Sequence, residues 1–408
     1  MNKKYFGLIE VIIIVIVTGI VCGISTGLIL INHDNFKNIN YADLSKDQDV
    51  KEFLEVYASI ITNYYENVNK DELINSAING MMNYLGDDYT NYLDKESSKA
   101  LAERLAGEYE GIGVQIIGEN VIYEVFEDSP AMAAGIKKDD KIIKVNGTLV
   151  EGKKTSEVAT MIKSSVGGKV ELVILRDKEE IEINVELKRL NIPSIAYEII
   201  KENNKNVGYM YIETFSNTTA SQVKKALTKM ESDGIDSLIL DLRGNTGGYL
   251  ASAKDIANIF LEKGKVIYSL EDKNKKIEVK SDTLEHKTYP VAVLINGGSA
   301  SASEILAAAL KESYGAILVG EKSYGKGKVQ QTMDLDSGGM IKYTSAKWLT
   351  PNGVCIDKVG IKPDYEITPD YDLVPKNQDD ENDWKKFEDY MKNINENQLK
   401  KAIEVITK

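Results

Sequence analysis

The chain has 408 residues and a net charge of −13 at pH 7; 43% of its residues are hydrophobic and 28% are charged. At roughly 100–200 residues per domain, this ordinary globular composition predicts two to three domains. The acidic balance argues against a general binder of nucleic acids or anionic lipids. Two cysteines and two histidines provide neither a disulfide framework nor a zinc or CxxC metal site. We therefore expect no metal and no other cofactor.

The start of the chain carries a topological signal. Lys3 and Lys4 precede the uncharged run VIIIVIVTGIVCGISTGLILI at 11–31, and no small-x-small cleavage site follows it. About 20 apolar residues span a bilayer, whereas the core of a signal peptide usually has about 7–15. We expect residues 1–32 to form a cytoplasmic start and an uncleaved single-pass anchor in a bacterial-type cell membrane, with the large domain outside. A cleaved signal peptide is the alternative.

Residues 33–106 predict a linker and a small helical region. Residues 33–50 are polar, and from Val50 onwards apolar residues recur at helical spacing until Gly86 and the two aspartates after it break the pattern. Nothing in this region resembles a catalytic site.

Residues 107–190 predict a β-rich module. Runs such as NVIYEVF and KVELVIL have the length of strands, and two helix signals interrupt them at 129–135 and 155–165. Gly111 and Gly113 directly precede a strand, where backbone N–H groups can face an anion and a strand edge can accept an extended peptide. The alternative for these glycines is a tight turn that needs their conformational freedom.

Residues 191–365 alternate strand-like and helix-like segments. SLILDLRG, VAVLINGG and AILVGE are strand-like, while SQVKKALTKMES and SASEILAAALKES are helix-like. This alternation predicts an α/β layered domain with a largely parallel sheet. The tail at 366–408 is charged and has helical spacing with one apolar face, which can pack on its own domain or form a dimer contact.

The run NGGSASASEILAAAL at 296–310 places three serines where a predicted strand gives way to a helix. Ser301 and Glu304 match a capping box, which needs no chemistry, and Ser299 and Ser303 are also suited to capping or to the first turn. A serine at a helix N-terminus can instead act as a nucleophile, because the N–H groups there stabilise an oxyanion. The local sequence leaves both roles open.

A serine nucleophile in this chain needs a base, and His286 lies in a polar segment typical of an exposed loop. Lysine is the usual substitute, in an apolar or Gly-rich segment where burial lowers the pKa of its ammonium. GEKSYGKGKVQQT at 320–332 is such a segment. If it is extended, Lys326, Lys328 and Gln330 share one face, and the Gln330 amide oxygen could hold a lysine amine. Periodicity does not choose between the lysines, and the alternative for both is an exposed basic loop.

Two stretches of the β-rich module resemble a PDZ domain of the bacterial processing-protease type. They are EGIGVQI at 110–116 and EDSPAMAAGIKKDDKIIKVNGT at 127–148. The resemblance implies that a four-residue loop binds the C-terminal carboxylate of a polypeptide. That loop consists of Gly111, Ile112, Gly113 and Val114.

Four further motifs are similar to those of the C-terminal processing peptidases, the tail-specific serine proteases of family S41. They are DLRGNTGG (241–248), NGGSASASEI (296–305), GEKSYGKGKVQ (320–330) and TPNGVCIDKVGIKPD (350–364). The resemblance implies a nucleophile, a general base and a lysine-orienting glutamine at Ser301, Lys326 and Gln330, with Ser299, Ser303 and Lys328 in support.

The same resemblance implies an oxyanion hole formed by the backbone N–H groups of Gly247 and Ala302. Thr246 departs from the usual Asn-Pro-Gly-Gly pattern of the family and gives the turn before Gly247 a freer backbone. We assign Asp241 and Arg243 to structure, as a pair that holds this Gly-rich turn.

Together these resemblances imply α/β and β modules: an anchor helix (1–32), a helical region (33–106), a PDZ domain (107–190), a crotonase- or ClpP-like layered protease core (191–365) and a helical, dimerising tail (366–408). The implied protein is a membrane-anchored homodimeric serine endopeptidase with a Ser-Lys dyad. It cleaves extracytoplasmic proteins whose apolar C-terminal tails dock on the PDZ domain and complete the site. A dedicated processing role and general quality control both fit.

Two alternatives remain. The first is a membrane-tethered PDZ adaptor with an inactive protease-like core, and the presence of all three predicted catalytic residues counts against it. The second is a crotonase-like acyl-CoA enzyme, and the PDZ module and the outward anchor count against that.

Overall fold

The structure is a computed structural model that describes residues 41–370 and 381–408. The predicted anchor at 11–31 lies outside the described residues. Within the described residues, no helix is both long enough and apolar enough to cross a membrane.

The helical region begins with α1 (Tyr41–Leu44), α2 (Gln48–Asn63) and α3 (Lys70–Tyr84). The Asp47 carboxylate caps α2 by accepting the Asp49 N–H at 2.9 Å, and Asn69 Oδ1 accepts the Asp71 N–H at 3.1 Å at the start of α3. The predicted helical spacing is thereby confirmed. No residue of α2 or α3 is buried. The chain divides into two compact units after Met81, and the candidate site lies in the second unit.

The second unit opens with β1 (Asn91–Leu93) and α4 (Lys95–Ala106). The Asp94 carboxylate caps α4 by accepting the Ser97 N–H at 2.8 Å. Gly107 ends the helix at a φ of 69°, a conformation that favours glycine at a helix C-terminus.

The β-rich module has one main sheet in the order β3-β4-β5-β7-β8, with β6 paired to β5 and a separate ribbon of β2 and β9. Its strands are β2 (Glu108–Gly111), β3 (Val114–Ile117), β4 (Val121–Val125), β5 (Lys141–Val145), β6 (Thr148–Leu149), β7 (Lys169–Arg176), β8 (Glu179–Glu186) and β9 (Lys188–Asn191), and its helices are α5 (Pro130–Ala133) and α6 (Thr155–Lys163). A closed apolar core that includes Ile122, Ile142 and Leu172 holds the module together. Within the described parts of the chain, β3 pairs only with β4, so its other edge is open there.

The α/β core is built on a six-stranded sheet in the order β10-β11-β12-β15-β16-β19, in which only the pair β10–β11 is antiparallel. Its strands are β10 (Ile195–Glu202), β11 (Lys205–Ile212), β12 (Ser237–Asp241), β15 (Val291–Ile295), β16 (Ile317–Gly320) and β19 (Tyr365–Glu366). Every residue of β12 and β15 is buried, as expected of central parallel strands covered on both faces. The predicted α/β layers with a largely parallel sheet are confirmed.

Helices cover both faces of this sheet. On one face lie α7 (Thr219–Ser232), α8 (Leu250–Phe260) and α9 (Ala302–Ala309), whose apolar side chains pack with Leu238 and Val293. On the other face lies α10 (Glu381–Thr407), whose Ala402 and Ile406 are buried with Ile239. The C-terminal part of the tail's apolar face therefore packs on its own domain, and the dimer contact stays a prediction.

A second sheet lies next to the lysine segment of the candidate site. It has the order β1-β18-β13-β14, with β17 paired to β18. Its later strands are β13 (Val266–Glu271), β14 (Lys276–Lys280), β17 (Lys328–Asp334) and β18 (Met340–Leu349). Because β1 pairs with β18, with Asn91 opposite Lys342, this sheet brings the loop before β1 close to the segment before β17.

Candidate active site

Ser301 lies at the N-terminus of α9, in the turn that follows β15. Its φ of 58° and ψ of −115° belong to a region that residues with a side chain rarely adopt, at a typical cost of about 1–3 kcal/mol. Its neighbours hold it there: the Ala300 N–H donates to the Asn245 carbonyl at 3.0 Å, and Ser303 Oγ donates to the same oxygen at 2.8 Å. Strained residues of this kind cluster at functional sites.

The other two serines of the motif are buried and bonded to the backbone. Ser299 Oγ donates to the Leu242 carbonyl at 2.8 Å and accepts the Asn296 N–H at 3.0 Å. Ser303 Oγ donates to the Asn245 carbonyl, and the side chains of both serines are 0% exposed. Ser301 is half-buried, so it is the serine of the motif that a substrate could reach.

Glu304 joins the serine turn to the lysine segment. Its side chain is 0% exposed, and its Oε2 accepts the N–H of Ser301 at 2.8 Å and the N–H of Lys326 at 2.9 Å. Its Oε1 accepts Ser323 Oγ at 2.6 Å and the Gly325 N–H at 2.7 Å. One carboxylate oxygen thus holds the backbones of the predicted nucleophile and of the predicted base. The capping-box pattern predicted the bond to Ser301, whereas the bonds to the lysine segment had no sequence signal.

Lys326 lies in the segment between β16 and β17, with its backbone held on both sides. Its N–H is bound by Glu304, and its carbonyl accepts the indole N–H of Trp348 at 2.9 Å. Burial lowers the pKa of its ammonium, the positive charge of Lys342 lowers it further, and the charge of Glu304 opposes both. Among the described residues, the Lys326 ammonium has no hydrogen-bond acceptor. A lysine in this setting is suited to act as a base.

Lys328 is in a different electrostatic environment. Its Nζ donates to Asp87 Oδ1 at 3.0 Å, and this bond, opposed by burial, raises the pKa of its ammonium. A lysine stabilised in its charged form is a poor base. The structure therefore separates the two lysines that periodicity left equivalent, and it favours Lys326.

Among the residues that the structure describes, no hydrogen bond joins Gln330 to the Lys326 amine. Its Nε2 donates to the Lys328 carbonyl at 3.3 Å. The strand β17 begins only at Lys328, and its register shifts between Val329 and Gln330. The expected sharing of one face by Lys326, Lys328 and Gln330 stays a prediction, because Lys326 precedes β17 while Lys328 and Gln330 lie within it.

The Gly247 turn lies directly against Ser301. Gly247 has a φ of 97°, and a Cβ at this position would come 2.9 Å from the Ser301 Cβ and 2.7 Å from the Ala300 carbonyl oxygen. The Gly247 N–H donates to Asn245 Oδ1 at 2.8 Å. Among the described residues, the Ala302 N–H has no acceptor. Of the two predicted oxyanion donors, the Ala302 N–H is thus available. The Gly247 N–H is bound to the side chain of Asn245, a residue for which the sequence predicted no role.

Asp241 and Arg243 form the expected ion pair at the end of β12. The closest contact, between Arg243 Nη2 and Asp241 Oδ2, is 2.5 Å, and both side chains are largely buried. Tyr209 Oη donates to Asp241 at 2.7 Å, and Arg243 Nη1 donates to Gln398 Oε1 in α10 at 2.9 Å. The pair therefore holds the Gly-rich turn and also ties it to the C-terminal helix.

The predicted carboxylate-binding loop connects β2 to the open-edged strand β3. Gly113 has a φ of 85°, and a Cβ there would come 2.3 Å from the Ser129 Cβ, so a larger residue is excluded on two counts. Ile112 is 2% exposed and its carbonyl accepts the Ala131 N–H at 2.9 Å. Its side chain therefore belongs to the core of the module, and any contact of Ile112 with a ligand would come from its backbone.

A layered α/β core with a strained serine turn, a half-buried lysine and a β-rich module with an open sheet edge is the arrangement expected of a serine-type peptidase. Residues 206–367 match Peptidase family S41, residues 121–176 match a PDZ domain, and residues 28–97 match the N-terminal domain of the activating protease CtpB.

Two proteins with sequences similar to this chain are carboxy-terminal processing proteases. The carboxy-terminal processing protease CtpA of Bacillus subtilis (strain 168) is 42% identical over 327 residues, covering 79% of this chain and 70% of the relative. CtpB of the same organism is 39% identical over 337 residues, covering 81% and 70%. Among solved structures, a photosystem II D1 C-terminal processing protease is 25% identical with a TM-score of 0.47, covering 81% of this chain and 89% of that one.

The chain belongs to the S41 family of carboxy-terminal processing peptidases and is a serine-type peptidase with a PDZ domain. Both resemblances inferred from the sequence motifs are thereby confirmed.

Proposed function

We propose that the protein is a membrane-anchored endopeptidase that uses Ser301 as nucleophile and Lys326 as general base on proteins recognised by their apolar C-terminal tails. The observation that carries the dyad is the shared bond to Glu304, whose Oε2 accepts both backbone N–H groups. The half-buried Lys326, with its lowered pKa, supplies the neutral amine that the reaction needs.

The proposed reaction follows from these positions. The neutral Lys326 amine takes the proton of Ser301 Oγ, which attacks the carbonyl carbon of the substrate peptide bond. The carbonyl oxygen becomes an oxyanion, and when the intermediate collapses the C–N bond breaks and the Lys326 ammonium protonates the leaving amine. The same amine then deprotonates a water molecule, which attacks the ester on Ser301. When the ester C–O bond breaks, the Lys326 ammonium returns the proton to Ser301 Oγ.

The oxyanion hole is proposed to need a rearrangement of the Gly247 turn. The Ala302 N–H at the first turn of α9 is one donor. The Gly247 N–H becomes the second only when it exchanges Asn245 Oδ1 for the oxyanion. Since loss of one such donor costs about 10²–10³ in rate, the bond of the Gly247 N–H to Asn245 keeps peptidase activity low until the turn rearranges.

Substrate recognition is proposed to occur at the loop 111–114 and the edge of β3. An extended peptide can add to this open edge as a further strand, while its terminal carboxylate meets the backbone N–H groups of the loop. The Ala131 N–H donates to the Ile112 carbonyl and the Phe126 N–H donates to the Gly113 carbonyl; these bonds hold the loop in one shape and so support a preformed binding site.

Docking of a substrate tail is proposed to complete the active site. The end of α4 joins the module to the core, because the Asn217 N–H donates to the Leu105 carbonyl at 2.9 Å and Thr218 Oγ1 donates to the Gly107 carbonyl at 3.3 Å. The positions of Gln330 on the Lys328 carbonyl and of the Gly247 N–H on Asn245 support a site that is assembled by binding. For this coupling, the tail must bind the completed arrangement more tightly.

Location and assembly are proposed from the sequence. The uncharged run at 11–31 after Lys3 and Lys4 supports an anchor with the protease outside, and the helical tail leaves a homodimer as the proposed state. Protease added to intact cells should degrade the catalytic domain. A domain that is degraded only after lysis would place it inside and contradict the proposed orientation.

The dyad is tested with full-length protein in detergent and an unfolded protein that bears an apolar C-terminus. Ser301→Ala and Lys326→Ala should each lose at least about 10³-fold in rate, while Lys322→Ala, at an exposed lysine of the same segment, should cut like wild type. If all variants cut equally, the dyad is wrong. If even the wild type only binds the tail, the adaptor alternative is right.

A further inference from the structure

The loop that ends the helical region reaches the candidate dyad. The ring centroid of Tyr89 lies 4.9 Å from Lys326 Nζ and 5.6 Å from Lys328 Nζ. Both distances are within the range in which a cation is attracted to an aromatic face. The sequence pattern of this region predicts only a break after the helices. The contact between Tyr89 and the two lysines could therefore not be predicted from the sequence.

The loop is fixed to the second sheet on both sides of Tyr89. Asp87 accepts Lys328 Nζ at 3.0 Å and Thr90 Oγ1 at 2.6 Å. Thr90 Oγ1 in turn accepts the Thr344 N–H from β18 at 3.1 Å, and the pairing of β1 with β18 begins at the next residue. The ring is thus held in place by its neighbours, one of which is bound to Lys328, and does not depend on Lys326 for its position.

Tyr89 contacts Lys326 as a neutral ring. Burial, together with the nearby Tyr324 and the carboxylates of Asp357 and Asp88, raises the pKa of Tyr89 to about 12. The hydroxyl is therefore protonated at neutral pH, and the attraction comes from the ring face.

The surrounding carboxylates have other partners or act on other groups. The charged and titratable side chains that face the two ammonium groups are Glu304 from α9, Lys342 from β18, Asp357 from the loop after β18, and Asp87, Asp88 and Tyr89 from the loop after α3. The Glu304 carboxylate accepts four hydrogen bonds, and none of them comes from the Lys326 ammonium. Asp87 is bound by Lys328. The ring face of Tyr89 is therefore the group placed directly against the Lys326 amine.

We propose that Tyr89 is a positioning residue for the dyad base, and that its ring holds the Lys326 side chain in place and keeps water away from the amine. The proposal rests on the proposed role of Lys326 as general base. It gives a catalytic purpose to a loop that lies far from both dyad motifs in the sequence.

The two properties of the ring act in opposite directions on Lys326. The π face stabilises the ammonium, whereas the bulk of the ring excludes water and so destabilises it. Tyr89→Leu removes the π face and keeps most of the bulk, so the pKa of Lys326 should fall. Tyr89→Ala removes both and admits water, so the pKa should rise. A role in folding alone would not separate the two variants in this way.

The experiment measures pH profiles of full-length variants on the tail-bearing protein. Tyr89→Leu and Tyr89→Ala should each lower kcat about tenfold and leave KM within about twofold. The rise of kcat/KM with pH should move to lower pH in the first and to higher pH in the second. Tyr89→Phe, which keeps the ring, should restore most of the rate. Tyr365→Leu is the matched control, because Lys401 Nζ lies 4.7 Å from that ring outside the site.

A second readout does not depend on catalysis. In a Ser301→Ala background, the lysines are labelled by reductive ¹³C-methylation, and the Lys326 signal is assigned by its loss in Lys326→Arg. The pKa of that signal should fall in Tyr89→Leu, rise in Tyr89→Ala and stay unchanged in Tyr365→Leu. Equal pKa values in all variants, or shifts in one common direction, overturn the role of Tyr89. Loss of the dyad itself would instead show as full activity in Ser301→Ala, so the two failures are distinguishable.

Discussion

The carboxylate of Glu304 accepts the backbone N–H of Lys326 at 2.9 Å, and this bond connects two motifs that are separate in the sequence. Glu304 is completely buried, and its Oε2 also binds the N–H of Ser301. A buried carboxylate is stable only when hydrogen bonds replace its hydration. The same bonds that stabilise the charge therefore fix the distance between the serine turn and the lysine segment.

Glu304→Gln should lower kcat roughly 10²-fold, because a carboxamide presents an N–H group where two backbone donors need an acceptor and the dyad is displaced. Glu304→Ala should also reduce the free energy of unfolding by about 3–5 kcal/mol. Steady-state kinetics and thermal unfolding check both. Glu312→Gln is the matched control, since among the described residues its carboxylate accepts an exposed backbone N–H, that of Asn352. Wild-type kcat in a folded Glu304→Gln protein would contradict the positioning role.

Lys328→Met should retain activity within about tenfold of wild type, whereas Lys326→Met should lose at least about 10³-fold. The reason is that Lys328 is held in its charged form by Asp87, while Lys326 has no such partner among the described residues. Initial rates at several pH values decide the matter. Equal losses in both variants would show that the ion pair with Asp87 does not separate the two lysines.

Asp87→Asn should make stability less sensitive to acid. Burial opposes ionisation of Asp87, but the nearby Thr344 hydroxyl and the hydrogen bonds from Thr90 and Lys328 outweigh it and hold its pKa well below the ordinary value. Its contribution is therefore present above the ordinary pKa of about 3.9 and is lost as pH falls below it. Melting temperatures measured between about pH 2 and 6 should differ most at the upper end, and the difference between wild type and variant should narrow towards the acid end. A constant difference over that range would contradict this assignment.

The features that the sequence predicted are those with local signals. The strand–turn–helix around Ser301, the parallel strands of the core and the glycine loop before β3 each follow from a short stretch of residues with a regular period or a turn residue. The helix of the tail is likewise confirmed as α10, and the contact of its C-terminal part with the sheet is one of the two outcomes that the pattern allowed.

The features that the sequence could not predict are contacts between distant segments. Lys326 and Lys328 have similar local sequence, and the difference between them comes from Asp87, 241 positions away from Lys328. Glu304 matched a capping box, so its bonds to the lysine segment had no separate signal. Tyr89 follows a pattern break that is typical of an ordinary turn. For the two lysines and Tyr89, the decisive partner is set by the pairing of β1, β17 and β18, which no local period encodes.

Gly113→Ala should lower kcat/KM at least about tenfold on a protein with an apolar C-terminus, because a side chain at a φ of 85° and 2.3 Å from Ser129 distorts the carboxylate loop. If docking completes the active site, cleavage of the same protein without the tail should be slow in both enzymes. Gly118→Ala is the control, since its added Cβ meets nothing within 4 Å. Equal rates for Gly113→Ala and wild type on the tail-bearing protein would exclude loop 111–114 as the recognition site.

Lys342→Met should move the rise of kcat/KM to higher pH. Burial lowers the pKa of Lys326, and the positive charge of Lys342 lowers it further. Without that charge the Lys326 ammonium is more stable, so a higher pH is needed to produce the neutral amine. Lys347→Met is the matched control, because Lys347 lies on the same strand but is exposed and pairs with Glu271 at 3.0 Å. A shift to lower pH in Lys342→Met would mean that the group titrating in the profile is not a lysine next to Lys342.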